Sequence, residues 1–164
     1  MDKFDEQKRS EIMSKIRSKD TTPEKMVRHI LFKEGFRYRL NVQKLPGVPD
    51  LVFPKYRAVI FVHGCFWHAH EGCSRATLPS SNEEFWRAKL ARNRARDEEV
   101  RAALMEDGWR VLTVWECACA KRTAPLLAHL AAEFLRDPSK FCGEIDGRLI
   151  KQEKEKNEHD IEKH

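Results

Sequence analysis

Apolar residues recur along the chain with helical spacing in several long segments, and these segments predict three helices in the body of the protein. The first begins near Thr22, the proposed N-cap, with Pro23 at the first helical position and Gly35 beyond its end. A long helix is predicted from about residue 82 to residue 107, and a C-terminal helix over residues 123–137. The first twenty residues are polar and also helix-prone.

Four other segments have the alternating or continuously apolar pattern of strands. FRYRLNV alternates apolar and basic residues, DLVF is short and apolar, and AVIFVH and WRVLTVWE are typical of buried strands. The order is helix, helix, three strands, helix, strand, helix. This order predicts an α/β domain with a mixed central β-sheet flanked by α-helices on both faces.

We divide the chain into three parts: an N-terminal helical arm (residues 1–20), one folded domain (21–140) and a charged C-terminal tail (141–164). The final fourteen residues hold four Lys, five acidic residues and one aliphatic residue, Ile161. We therefore expect the tail to be flexible, and the part after Ile150 to be disordered or loosely helical.

Composition narrows the class of protein. Among 164 residues, 41% are hydrophobic and 35% are charged, which is typical of a water-soluble globular domain with a highly charged surface. No apolar run approaches the roughly 20 residues of a membrane helix, and the N-terminal segment has no apolar signal-peptide core. We expect no membrane association and a cytoplasmic or nucleoid location.

The net charge of +5 is compatible with nucleic-acid binding without establishing it.

The stretch PGVPDLVF places a carboxylate, Asp50, between a stiff turn and a strand. A hairpin with AVIFVH would bring Asp50 near Val62 and His63, where a hard divalent cation such as Mg²⁺ could be held. The alternative is that Asp50 only caps a turn. The arrangement resembles the PD-(D/E)xK nuclease core, although Phe61 stands where that pattern has its acid and His63 where it has its lysine.

A second group of polar residues has the composition of a zinc site, which prefers four Cys or His ligands, often from two chain segments. Its members are Cys65, His70 and Cys73 on one loop, and Cys117 or Cys119 after the late strand. Five cysteines in a reducing compartment favour thiolate ligands over disulfides. The alternative is a set of unrelated buried cysteines and surface histidines. We interpret the remote Cys142 as an ordinary small residue.

Phe66 and Trp67 lie between two of these possible ligands. Loops that DNA-binding proteins insert between base steps carry apolar side chains of this kind, and unstacking is easiest at a mismatched base. Packing of both rings in the core is the alternative.

Four segments together, PGVPD, AVIFVHGCFWHAH, GWRVLTVWEC and EFWRAKLARNRARD, resemble the Vsr family of very-short-patch DNA mismatch endonucleases. The resemblance extends over about residues 8–137. The family is a PD-(D/E)xK variant in which histidine replaces the lysine and the motif acid is missing. The resemblance therefore implies a restriction-endonuclease-like core with a structural zinc site.

The resemblance also assigns catalytic roles. Asp50 matches the carboxylate that binds catalytic magnesium, and Val62 matches a backbone carbonyl ligand, at a position where the family usually has threonine. His63 and His68 match the two active-site histidines, of which either could be base or acid. Glu24 matches an acid that contacts metal-bound water.

Zinc and DNA contacts follow from the same resemblance. The implied zinc ligands are Cys65, His70, Cys73 and Cys117. The spacing between His70 and Cys73 is one residue longer than in the usual pattern of the family, so Cys119 is kept as an alternative ligand. Phe66 and Trp67 match aromatics that intercalate beside the mismatch from one groove, and Met13 matches a wedge from the other side.

The implied activity is Mg²⁺-dependent nicking of one DNA strand on the 5′ side of the mispaired T in a T:G mismatch, which initiates very short patch repair. Such mismatches form when 5-methylcytosine deaminates. We expect a monomeric bacterial enzyme, and the family alone suggests mismatch-repair proteins as partners. Two alternatives are a non-catalytic zinc-stabilised protein that binds distorted DNA, and a related nuclease with another DNA target.

Basic residues near the proposed wedges are candidates for phosphate contacts, which supply affinity without sequence information. They are Lys15, Arg17 and Lys19 in the arm, and Lys89, Arg92 and Arg96 on one face of the long helix. For each of them the alternative is a solvated surface charge.

Overall fold

A computed structural model of the protein describes residues 20–163, in which four strands form one sheet and four helices of more than two turns surround it. The strands are β1 (Leu51–Phe53), β2 (Ala58–His63), β3 (Arg110–Trp115) and β4 (Cys142–Ile145). The helices are α1 (Thr22–Lys33), α2 (Glu83–Glu106), α3 (Ala124–Arg136) and α4 (Gly147–Glu162). Within the described residues, no helix is both long and apolar enough to span a membrane.

The sheet is mixed, in the order β1-β2-β3-β4. β1 runs antiparallel to β2, whereas β2, β3 and β4 run parallel to one another. His63 pairs with Trp115, and Val114 pairs with Ile145. The carboxyl ends of the three parallel strands therefore meet at one edge, where ligand sites of open α/β sheets commonly lie.

Both faces of the sheet are covered, which explains why β2 and β3 are almost entirely apolar. α1 and α3 cover one face, and the core there includes Leu31, Leu127 and Leu112. α2 covers the other face, where Leu104 packs against the buried side chains of Val59 and other strand residues. The predicted mixed α/β architecture is confirmed.

The predicted helices match α1, α2 and α3 closely. One detail was wrong: the N-cap of α1 is Thr21, whose hydroxyl accepts a hydrogen bond from the Glu24 amide at 3.3 Å, and Thr22 is already helical. The side chain of Thr21 thus satisfies a free amide of the first turn.

The segment FRYRLNV, predicted as a strand, is not one. It makes a single bridge, in which Arg39 and Val52 exchange backbone hydrogen bonds of 2.8 and 2.9 Å. The neighbouring rings of Phe36 and Tyr38 pack on Phe53, which explains the alternating pattern. The backbone then turns at Asn41, with φ of 53°, so the extended path cannot continue along β1.

The segment assigned to a flexible tail contains β4, which was not predicted, and α4, whose part after Ile150 was expected to be either disordered or loosely helical. β4 has only four residues, including Gly143, and its pattern is too short to identify from sequence. Gly143 packs closely, since a Cβ there would lie 3.3 Å from the Phe134 ring and the ring would have to shift. α4 buries Ile150, but nearly all of residues 151–163 are exposed.

The N-terminal arm lies outside the described residues, except for Asp20. Four of the predicted DNA-contacting residues belong to it: Met13, Lys15, Arg17 and Lys19.

Candidate active site

Asp50 reaches its position through a tight turn that packs against α2. Gly47 has φ of +70°, and a Cβ at this residue would lie 2.5 Å from a methyl carbon of Val100, so the turn accepts only glycine. The Asp50 carboxylate then accepts a 2.7 Å hydrogen bond from the backbone amide of Val62 on β2. The carboxylate thus bridges the hairpin rather than capping its own turn.

Two carboxylates share this part of the site. Burial raises the pKa of Asp50 to about 7, the hydrogen bond from Val62 opposes this, and the nearby Glu24 carboxylate raises the pKa further. Glu24 is 3% exposed and accepts hydrogen bonds from the amide of Asp20 and the guanidinium of Arg28. A cation between the two carboxylates would offset this repulsion, so the oxygen donors fit a hard divalent ion.

Two stacked histidines also belong to the site. The rings of His63 and His68 stack with centroids 3.7 Å apart, and His68 Nδ1 lies 2.7 Å from Asp97 Oδ2 on α2. Burial lowers the pKa of His63 to about 3, and the neighbouring His68 adds to the effect. His63 is therefore neutral in the folded protein.

Although the donor atoms of His63, His68 and Asp97 lie within 4.8 Å of one another, the stacking disfavours a metal between the rings. The ring planes differ by only 4°, so their in-plane lone pairs point along parallel planes and do not converge. The imidazoles are better arranged to bind or move protons than to chelate an ion.

These groups line one cleft of about 420 Å³. Asp50 and Glu24 supply oxygen donors, and His63 and His68 line the same cleft. Asn93 and Arg96 of α2 also line it and supply polar and positive groups. Carboxylates, imidazoles and a guanidinium around an open cleft suit a phosphodiester substrate.

A separate cluster lies beyond the ends of β2 and β3. Its four ligand atoms, on Cys65, His70, Cys73 and Cys117, lie within 4.8 Å of one another, and Cys117 Sγ is 3.6 Å from His70 Nδ1. Tetrahedral zinc separates its ligand atoms by about 3.5–3.8 Å, so the donor set fits this ion. Burial raises the pKa of the Cys65 and Cys117 thiols, and a bound cation would reverse that shift.

Of the two alternatives from the late strand, Cys117 belongs to the cluster. Cys119 instead directs its thiol to the backbone carbonyl of Trp115 at 3.7 Å, and burial raises its pKa to about 12. Cys142 is exposed on β4.

The loop between the two sites carries an aromatic cluster. Phe66 and Trp67 pack edge to face at 5.1 Å, and both contact Trp86 of α2. Asn93 donates a 3.0 Å hydrogen bond to the Trp67 carbonyl. The two loop aromatics are half-buried, so α2 holds them without enclosing them.

The basic face of α2 adjoins this loop. The ammonium of Lys89 lies 5.5 Å from the Trp67 ring centroid and 5.7 Å from that of Trp86. Arg96 lines the cleft, and Arg92 is exposed one turn earlier. Lys89 thus adjoins the loop and Arg96 the cleft, on the same helix.

Three residues of α2 that contact the site were absent from the sequence-based site: Trp86, Asn93 and Asp97. All lie in the segment EFWRAKLARNRARD, where their spacing of seven and four residues along one helical face was the available signal. Asp97 has the appearance of an ordinary surface acid until the fold brings it to His68.

Comparisons with known proteins agree with this geometry. Residues 1–75 match a family model described as DNA mismatch endonuclease Vsr. The type II nicking enzyme V.XorIIP of Xanthomonas oryzae pv. oryzae is 50% identical over 116 residues, which cover 71% of this chain and 85% of the relative. The DNA mismatch endonuclease Vsr of Escherichia coli is 44% identical over 121 residues, covering 74% and 77%.

A third relative matches over most of both chains. The type II nicking enzyme V.HpaIIP of Haemophilus parainfluenzae is 32% identical over 153 residues, which cover 93% of this chain and 98% of the relative.

Proposed function

Since the chain belongs to the Vsr family of DNA strand-nicking endonucleases, we propose that it nicks one strand of duplex DNA on the 5′ side of the mispaired T in a T:G mismatch. The nick would start short-patch repair of deaminated 5-methylcytosine. The observation that carries this proposal is a single cleft that joins the buried Glu24 and half-buried Asp50 carboxylates, a stacked histidine pair and a loop of packed aromatics.

Asp50, Glu24 and the Val62 carbonyl are the groups that we propose for Mg²⁺. The N–H and C=O of one strand residue point to the same strand edge, so the Val62 carbonyl faces the side on which its amide meets Asp50. When bound, Mg²⁺ would stabilise negative charge on the phosphate under attack. Arg28 holds the Glu24 carboxylate in the cleft through a 3.2 Å contact.

The proton-handling group that we propose is His68, with Asp97 as the residue that orients it. The carboxylate at Nδ1 fixes the ring and leaves Nε2 to meet the substrate or water, and it supplies a counter-charge when the ring becomes imidazolium. Neutral His63 stacks on His68 and restricts its orientation.

Recognition of the mismatch is assigned to Phe66 and Trp67. Both side chains are held by Trp86 and half-exposed, so they can leave their present contacts for a base step at modest cost. Met13 is the proposed wedge from the opposite side. The basic residues of α2 and of the arm are the proposed phosphate contacts.

Structural zinc is proposed for the cluster of Cys65, His70, Cys73 and Cys117. The ion would fix both ends of the segment that carries Phe66 and Trp67, because Cys65 precedes the pair and His70 follows it. The aromatic wedge would then keep its shape when DNA binds.

A second target class is supported by the relatives, several of which are named type II nicking enzymes rather than mismatch endonucleases. For this chain, the corresponding alternative is a nuclease of the same fold that cuts a different mismatch or unmodified duplex DNA.

A duplex library that carries one central T:G or T:A pair between randomised flanking bases distinguishes the two possible targets. Sequencing of the nicked products in Mg²⁺ would report both the pair and its context. The proposal requires enrichment of T:G products, and a narrow flanking consensus would add the context. Products from T:A duplexes at equal yield would contradict it.

A further inference from the structure

The beginning of α4 lies directly against the proposed zinc cluster. The parallel pairing of β3 and β4 aligns Val114 with Ile145, so the chain leaves β4 beside the end of β3, where Cys117 follows. The next residues, Asp146 to Arg148, each contact the cluster or its loop. This segment is outside the sequence motifs that identified the site.

His70 is held on two sides. Its ring stacks on the indole of Trp115, with centroids 4.1 Å apart and an angle of 11° between the planes. Its Nδ1 faces the Sγ of Cys117, and its Nε2 lies 3.3 Å from Oδ2 of Asp146. The ring is 7% exposed, so Asp146 is its partner on the side away from the cluster.

We propose that Asp146 is a positioning residue for the zinc site. With its carboxylate 3.3 Å from Nε2 of His70, Asp146 would favour the tautomer protonated at Nε2 and leave Nδ1, the nitrogen that faces Cys117, free of a proton and ready to ligate. Metal-binding histidines are commonly oriented by a carboxylate in this manner, which raises metal affinity about 10–100-fold. The inference rests on the zinc occupancy proposed above.

The other carboxylate oxygen of Asp146 has a second structural role. Oδ1 accepts a 2.8 Å hydrogen bond from the Leu149 amide and caps the N-terminus of α4. The two oxygens of one side chain therefore connect the first turn of α4 to His70. Because Asp146 is only 17% exposed, both contacts are largely shielded from water.

The neighbouring residues strengthen the connection. The Gly147 amide donates to Cys117 Sγ at 3.3 Å, and a Cβ at Gly147 would lie 3.1 Å from the Cys117 carbonyl oxygen. The Arg148 guanidinium donates to the Glu71 carbonyl at 3.0 Å and lies 3.7 Å from Asp146. An amide directed at a ligand sulfur stabilises the thiolate form.

The experiment uses the full chain with two substitutions, Asp146→Ser and Asp146→Asn. Serine keeps the N-cap but cannot reach His70, and asparagine keeps the cap but directs an amide NH₂ to Nε2. Asp160→Asn, on the exposed part of α4, is the charge-matched control. Zinc content is measured by atomic emission, and zinc loss by transfer to a chromogenic chelator.

Both Asp146 variants should lose zinc about 10–100-fold faster than the wild type, and the Asp160→Asn control at the wild-type rate. Long-range ¹H–¹⁵N NMR spectra report the tautomer directly: the wild type should show His70 protonated at Nε2, and the asparagine variant should lose that uniform state. Helix content by circular dichroism should be the same in all four proteins.

Failure of the Asp146 inference can be distinguished from failure of the zinc assignment. A wild-type protein that holds one zinc, together with variants that release it at the wild-type rate and keep the His70 tautomer, would overturn the inference alone. A wild-type protein purified without zinc, unable to take it up, would overturn the zinc assignment and this inference with it.

Discussion

His63 and His68 stack face to face, with ring centroids 3.7 Å apart, and only His68 has a carboxylate at its Nδ1. Burial keeps His63 neutral, so the two rings have different electrostatic roles despite their contact. The pair thus combines the imidazole that we propose to transfer protons, His68 with Asp97 at its Nδ1, with a neutral ring stacked against it. Replacing one member at a time should therefore give unequal effects.

Asp97→Asn should reduce nicking about 10²–10⁴-fold, because His68 would lose its orientation and its counter-charge. Single-turnover rates with saturating enzyme measure the chemical step, and fluorescence anisotropy measures DNA affinity separately. Affinity should change little, since Asp97 contacts His68 rather than the aromatic loop.

Glu99→Gln is the matched control for this change, because Glu99 is an exposed acid two residues further along α2. Its rate should equal that of the wild type. An Asp97→Asn enzyme with a wild-type rate would show that His68 does not need its carboxylate partner.

Asp50→Asn should abolish nicking and yet stabilise the folded protein in magnesium-free buffer at pH 8. Asparagine can still accept a hydrogen bond from the Val62 amide, but it removes a half-buried charge from beside Glu24. We expect a gain on the order of 2 kcal/mol in the free energy of unfolding, measured with urea.

The stability gain from Asp50→Asn should depend on pH. The pKa of Asp50 rises from 3.8 in the unfolded chain to about 7 in the folded protein, so its stabilising contribution is present below pH 3.8. That contribution is lost as the pH rises to 7. The gain from Asp50→Asn should therefore be small at pH 4 and reach its maximum above pH 7, and a gain independent of pH would contradict the pKa shift. Glu24, Arg28 and His68 face Asp50 and are unchanged in both proteins.

Trp67→Ala should weaken selective binding of a mismatched duplex by about 1–3 kcal/mol, or roughly five- to 150-fold, because one stacking surface is lost. Binding to a fully paired duplex should change much less. Phe32→Ala removes another exposed ring, 53% exposed on α1, and should alter neither affinity. Equal losses on paired and mismatched DNA would contradict the intercalation assignment.

Arg110 is the structural residue with the largest predicted effect on stability. Its buried guanidinium donates hydrogen bonds to five backbone carbonyls, those of Tyr56, Phe134, Leu135, Asp137 and Lys140. Two of these belong to the last turn of α3, so Arg110 joins that helix end to the sheet. Arg110→Lys should cost about 2–4 kcal/mol in urea unfolding, because one ammonium cannot reach all five. Arg122→Lys, at an exposed position, should cost nothing measurable.

Much of the fold follows from local pattern. The continuous apolar runs of β2 and β3 predicted a sheet covered on both faces, and the short connection between β1 and β2 predicted a hairpin. The strands then place Asp50, Val62 and His63 at one cleft without further information.

What could not be predicted depends on contacts between distant segments. Asp97 lies 29 residues from His68, and Asp146 lies 76 residues from His70, and each has the sequence context of a surface acid. β4 is a four-residue parallel strand that depends on its pairing with β3. The alternation in FRYRLNV was real but reflected rings packed on Phe53 rather than a strand.

Strand-specific nicking of a short duplex with one T:G pair, each strand bearing a different fluorophore, tests the central claim most directly. Wild type in Mg²⁺ should produce one cut, in the strand with the mispaired T and on its 5′ side. A T:A duplex and an Asp50→Ala enzyme should give no product. A cut in the G-containing strand, cuts in both strands, or equal cleavage of the T:A duplex would contradict the account.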